Sequence, residues 1–218
     1  MTMEKKYKLT DETINVGGKK LYRIEALKDF RDVKKGYKGG FIEDEYNLSH
    51  DGNSWVFGDA MVYGDARVCG DAWVCGDAMV YGGAMVDGSA IVCGGARVYG
   101  NSLVYDGARV CGDAMVYGDA RVCDGARVCG DAMVYGGARV CGDAKIENNS
   151  DYIVFKNWWS SGRYFTWTRS NDMWKVGCFY GNGEELIKKA YQDSEKSGRE
   201  YERVVKYIDE IKKENYGK

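Results

Sequence analysis

The stretch MVYGDARVCGDAWVCGDAMVYGGA, residues 61–84, uses few residue types and returns to Val at every sixth position. Aligned on Val62, the pattern A-x-V-[Y/C]-G-[D/G/N] runs from Ser54 to Asn149, sixteen hexads without an insertion or a loss. Ala and Val two positions apart lie on one side of a short strand, so both point inward. Gly gives the backbone freedom needed at a corner, and Asp or Asn tolerates turn geometry beside it. Three such edges close a triangular coil, which predicts about five stacked coils over 54–149.

Taking every eighteenth residue separates three outer faces. On the first, the residues after Val are Tyr63, Tyr81, Tyr99, Tyr117 and Tyr135, and those before it are Met61, Met79, Arg97, Met115 and Met133. This Met/Tyr strip is predicted to run roughly 20 Å along the axis at about 4.8 Å per coil. The second face passes from Trp55/Phe57 and Trp73/Cys75 through Ile91/Cys93 to Arg109/Cys111, Arg127/Cys129 and Lys145/Glu147. The third carries Arg67/Cys69, Met85/Asp87, Leu103/Tyr105, Arg121/Cys123 and Arg139/Cys141. Like residues stacked between coils stabilise such sheets. Stacking alone does not call for methionine beside nearly every tyrosine, and an exposed apolar strip of this length marks an association face.

These residues resemble the left-handed parallel β-helix of the hexapeptide-repeat family, in which an aliphatic residue is followed four positions later by a small one. Val62 and Ala66, Val68 and Ala72, and Val74 and Ala78 fit that motif. The resemblance implies the left hand and self-association, with a homotrimer expected through the Met/Tyr face. The family includes acyltransferases and non-catalytic scaffolds alike. Acyl transfer in it depends on a histidine general base and a loop thrown out from the coils. Here the single histidine, His50 in EYNLSHDGNSW, precedes the first hexad, and the hexads carry no inserted loop. No nucleophile elbow, P-loop or dinucleotide fingerprint is present. The expectation is a non-enzymatic binding protein with no catalytic residue and no cofactor.

The segment LKDFRDVKKGYKGGFIEDEYNLSHDGNSWV, residues 27–56, with the GDARV that follows it, also resembles hexapeptide-repeat proteins encoded by phages and prophages. That likeness implies a host-directed role, in which the protein binds and blocks a bacterial defence protein. Sequestration of a small nucleotide signal by an oligomer and CoA-dependent acyl transfer are the alternatives.

The 218 residues include thirty glycines, seventeen tyrosines, eight cysteines and no proline, with a net charge of −2. No apolar run reaches the roughly eighteen residues of a membrane span, and MTMEKKYKLT has no apolar segment behind its lysines. A cytoplasmic protein without membrane contact is expected, in the host cytoplasm if phage-encoded. Seven cysteines follow Val at separations that are multiples of six, unlike the close spacing of a zinc site. Cys75, Cys93, Cys111 and Cys129 form a vertical ladder; reduced thiols and no metal are expected, with soft-metal binding or oxidation of the ladder as the alternative. Asp59, Asp77, Asp113 and Asp131 line one corner, but residues 54–149 hold twelve acidic and seven basic residues, net −5. That is one charge per roughly 5 Å of axis, against one per ~1.7 Å in B-DNA. Nucleic acid mimicry is therefore not expected.

Residues 1–53 read as an N-terminal β cap, with TINVGGKKLYRIEAL forming two strands joined at Gly17 and Gly18. Residues 150–218 read as a small α+β domain of three short strands and two helices, with capping-box spacing at Asn182/Glu185 and Ser197/Glu200. Tyr201, Val204, Val205, Ile208 and Ile211 make one apolar helix face. Arg163, Trp167, Arg169, Trp174 and Lys175 fall on adjoining strands and are the candidate target-binding cluster, since aromatics among cations can stack a base or anchor a protein surface.

Overall fold

The computed structural model describes residues 4–216. Strands β1 (Tyr7–Val16) and β2 (Lys19–Ala26) form an antiparallel hairpin turning at Gly17 and Gly18, and β2 pairs antiparallel with β3 (Lys38–Ile42). From there the chain is a parallel β-solenoid. Its sixteen two-residue strands, β4 (Trp55–Val56) to β19 (Lys145–Ile146), recur every six residues. Each pairs in register with the third strand along, as Met79 does with Met61 and Arg97. Three sheets of eight, six and five strands result, the largest continuing through β3 into the N-terminal hairpin.

Inside the coils, the Ala and Val columns from Ala60 and Val62 to Ala144 and Ile146 are buried to 1% exposure or less. Ser102 replaces Ala in its column, and its hydroxyl donates to the carbonyls of Tyr99 and Val116 at 2.9 and 3.2 Å. A buried hydroxyl is thus satisfied by the backbone it displaces no strand to reach. At two corners the order is Asp-Gly, and Asp106 and Asp124 take the left-handed φ of +51° and +56° that glycine holds elsewhere.

The stack begins one coil earlier than the hexads suggest. Phe41 and Ile42 pair in parallel with Met61 and Val62, and Leu48 bridges to Val68, so the solenoid has about six turns rather than about five. Ile42 and Leu48 sit twenty residues before their partners, whereas Val56 sits eighteen before Val74. The two extra residues lie in the corner between Leu48 and Trp55, which holds His50.

Both ends are closed by one device. Short 3-10 turns at Glu45–Asn47 and Asn149–Asp151 replace a glycine corner. The Asn47 side-chain oxygen accepts from the amides of Glu43 and Asp44 at 3.1 and 2.9 Å, and an Asp151 carboxylate oxygen accepts from those of Glu147 and Asn148 at 2.8 and 2.9 Å. Asn47 also donates to the carbonyls of Gly64 and Ala66, both at 2.9 Å. Both side chains are buried, so each holds a sharp turn by satisfying amides that would otherwise be orphaned.

Beyond the last coil lies a four-stranded antiparallel sheet, β20 (Tyr152–Lys156), β21 (Tyr164–Thr168), β22 (Met173–Val176) and β23 (Phe179–Gly181), not three strands. The third sequence segment breaks at Gly177, whose φ of +58° turns the chain back on itself. Helices α1 (Gly183–Asp193) and α2 (Glu195–Tyr216) cover one face. Asn182 and Glu185 form the expected capping box, at 2.9 and 3.0 Å. Ser197 does not cap α2. The helix starts earlier, and the Ser194 hydroxyl accepts from the Ser197 amide at 3.1 Å. The opposite sheet face lies against the last coil, where Thr166 and Ser170 hydroxyls accept from the amides of Arg139 and Lys145 at 2.8 and 2.7 Å. The terminal unit is thereby the solenoid's second cap.

Candidate functional site: the methionine and tyrosine face

In the eight-stranded sheet, the hexad register brings Tyr63, Tyr81, Tyr99, Tyr117 and Tyr135 into one column. Successive ring centroids are 5.1, 4.9, 4.9 and 5.3 Å apart, and the planes tilt by no more than 12°. Such contacts contribute about 0.5–1.5 kcal/mol each beyond area burial. Loss of water between the rings raises the hydroxyl pKa of Tyr63, Tyr81 and Tyr117, and for Tyr81 the neighbouring phenols add to it.

Beside it, Met61, Met79, Met115 and Met133 are half-buried and Arg97 is exposed. Met is flexible and polarizable, suited to a contact surface that must adapt. At the hairpin end the Met column continues to Phe41, which the Arg23 guanidinium covers at 4.1 Å, and the tyrosine column ends at Glu43, paired with Lys19 at 2.7 Å. At the other end Tyr135 is 49% exposed, and the last Met strand is sealed: Asn149 accepts from the Met133 amide at 2.8 Å and Tyr152 donates to its carbonyl at 2.9 Å. A groove of about 430 Å³ opens there between Tyr135, Tyr152 and Tyr164.

The aromatic end of the second face is already covered. Trp55 is fully buried under Tyr7 and Phe30, Phe57 packs between Tyr37 and Trp73, and Arg31 lies 4.4 Å over Trp73. On the third face Arg67 lies 4.6 Å over Tyr46. Cys123 and Cys141, expected as free thiols, are joined as a disulfide between adjacent coils, because in-register pairing sets their Cα atoms 4.7 Å apart.

The five terminal residues read as one cluster do not share a surface. Trp167 and Trp174 pair across β21 and β22 and are each 1% exposed, packed in the core with Phe165 and Tyr201 beneath the helices. Strand alternation puts Lys175 on the opposite face, 6.0 Å from the Tyr180 ring. Arg169 pairs with the buried Asp151 carboxylate and so belongs to the end-closing turn. Arg163 is exposed at the mouth of a cavity of about 340 Å³ lined also by Ser160, Ser161, Lys189 and Tyr201. Trp167 lies on β21 and Trp174 and Lys175 on β22, whereas Arg163 and Arg169 flank β21 outside it; spacing alone could not show that alternation divides the two sheet faces between core and solenoid.

His50 sits in the first long corner, its ring stacked 4.3 Å from Tyr7 and its Nδ1 accepting from the Lys6 amide at 3.2 Å. Nε2 is buried 3.7 Å from a Glu45 carboxylate oxygen, with no hydrogen-bond partner among the described residues. The Lys6 ammonium, beside it, donates to the carbonyls of Gly52 and Ser54 at 3.3 and 2.9 Å, and burial lowers its pKa to about 8. Sequence reasoning missed this internal lysine; Lys6 lies just before β1 and is buried together with its neighbour Tyr7, so neither composition nor strand alternation singles it out in EKKYK.

No helix among the described residues is long and apolar enough to cross a membrane. A search of curated proteins returns no match. Residues 60–76, 108–124 and 126–142, all within the coils, match the family model described as YdcK Beta solenoid repeat. That similarity and the parallel coil of the structure agree: the chain is built on a repeat β-helix.

Proposed function

We propose that the protein is a non-enzymatic binding scaffold that associates with itself through the Met/Tyr face, as a homotrimer, and engages a bacterial protein as its target. The observation that carries this is the unbroken five-ring tyrosine column with methionines beside it on a solenoid that has the N-terminal hairpin at one end and the terminal unit at the other. Caps at both ends oppose end-to-end growth, which leaves association to the sides, and this side offers the longest apolar strip. The environment of His50 supports the non-catalytic part: one ring nitrogen accepts a backbone amide and the other is sealed, so neither reaches an acceptor substrate. The host-directed role rests on the resemblance of residues 27–56 to phage-encoded proteins.

A second reading, capture of a small nucleotide, is favoured by the cavity lined by Arg163, Lys189, Ser160 and Ser161, whose two cations outnumber the single carboxylate of Asp193 and can meet an anion. Native mass spectrometry of protein purified from bacterial cells separates the two. A stoichiometric protein partner supports the scaffold, whereas a nucleotide released on denaturation supports the second reading. Acyl-CoA turnover that disappears in His50→Ala would overturn both.

A further inference from the structure

The second face carries a row of thiols that neither the capped ends nor the Met/Tyr strip uses. Cys75, Cys93, Cys111 and Cys129 follow strands paired in register, so they stand one above another. All four are half-buried. The Cys111 and Cys129 sulfurs are 2.7 Å apart, and Cys93 interacts with both Cys75 and Cys111. Phe57 closes the row at one end and Glu147 at the other, each at the equivalent position of the adjoining coil.

We propose that this row is a binding site for soft monovalent cations of the Cu(I) type, held two-coordinate between thiolates of adjacent coils, one at Cys111–Cys129 and one at Cys75–Cys93. Three features support it. Soft thiolate ligands select Cu(I) over harder cations. A metal about 2.3 Å from each of two sulfurs spans about 4.6 Å, close to the strand spacing of about 4.8 Å that the coil imposes. The Cys111 and Cys129 sulfurs, 2.7 Å apart without metal, must therefore separate to take an ion between them. Binding converts two thiols and one M⁺ into an anionic RS–M–SR unit and releases two protons. Arg109 and Arg127, two residues before Cys111 and Cys129 on the same outer face, offset the resulting negative charge. The sequence lacks the clustered Cys-x-x-Cys spacing of a zinc site and favours reduced thiols over a soft metal on the ladder; in-register pairing brings the thiols together in space.

The test is anaerobic titration of the full chain with Cu(I), in a Cys123→Ser/Cys141→Ser background that removes the other coil-to-coil pair. Copper retained against a chelating competitor is counted, and the thiolate-to-copper absorption in the near ultraviolet is followed. Two equivalents are expected, falling to one in Cys111→Ser/Cys129→Ser or in Cys75→Ser/Cys93→Ser, and to none when all four are replaced. No retained copper in the folded background protein, or two equivalents in both pair variants, overturns the proposal. If the fourfold variant loses its β-sheet circular dichroism, the two pair variants decide.

Discussion

Gly100 and Gly136 occupy the same corner column two coils apart, with φ of +74° and +63°. A Cβ on Gly100 would lie 2.9 Å from the amide nitrogen and 3.1 Å from the carbonyl oxygen of Gly118; on Gly136 it meets nothing within 4 Å among the described residues. Alanine at either site adopts a left-handed conformation costing about 1–2 kcal/mol, partly offset by about 0.4–1 kcal/mol from a stiffer unfolded chain. Gly136→Ala should therefore cost about 1 kcal/mol. Gly100→Ala must in addition push two coils apart beside the Tyr99–Tyr117 contact at 4.9 Å and the Asn101 amide bond to the Gly118 carbonyl at 2.8 Å. Weakening both adds about 1–3 kcal/mol. At about 2–4 °C per kcal/mol for a chain of this size, the melting temperature followed by far-ultraviolet circular dichroism should fall a few degrees in Gly136→Ala and about 4–16 °C in Gly100→Ala. Equal shifts would refute the view that backbone contact at the corners sets the coil spacing.

Replacing Asn47 or Asp151 by Ala leaves two backbone amides without their acceptor and should cost about 2–4 kcal/mol in denaturant unfolding. Lys6 has a folded pKa of about 8, below the value near 10.4 of an unfolded lysine. Over that interval the unfolded chain holds more protons, so this lysine makes stability rise with pH from about 8. Tyr7, whose pKa is raised by burial, opposes the rise above about pH 10, where the unfolded phenol ionises. The stability of the wild type relative to Lys6→Met should rise between pH 7 and 10; a constant difference would contradict a charged buried lysine. Reducing the Cys123–Cys141 bridge opens an 18-residue loop and should cost about 3 kcal/mol, as should Cys123→Ser with Cys141→Ser.

Much of the coil was legible because a six-residue period leaves few choices: Ala and Val must share a side, and glycine must turn. The Met/Tyr column follows from the same period, since parallel in-register pairing stacks every eighteenth residue. What lacked glycine escaped. IEDEYNL (42–48) and IENNSDY (146–152) share the grammar Ile-Glu-Asx-x-x-Asx followed by an apolar residue, and both prove to be end-closing turns. That repetition was present in the sequence, but its meaning depends on Asn47 and Asp151 turning inward to backbone amides. The terminal cluster failed for another reason. Sequence places Trp167 and Lys175 on adjoining strands, and only the packing of two helices on one side and a coil on the other decides which is buried.

The most direct test of the binding face is the mass of the assembly in solution, by sedimentation equilibrium at micromolar concentration, for the wild type and for Met79→Glu/Tyr81→Glu/Met115→Glu/Tyr117→Glu. Four carboxylates on one strip cannot be buried together without neutralisation. The wild type is expected at three times the chain mass, and the variant at one chain mass with its β-sheet circular dichroism retained. A wild type that sediments as a single chain, or a variant that keeps the wild-type mass, would contradict association through this face.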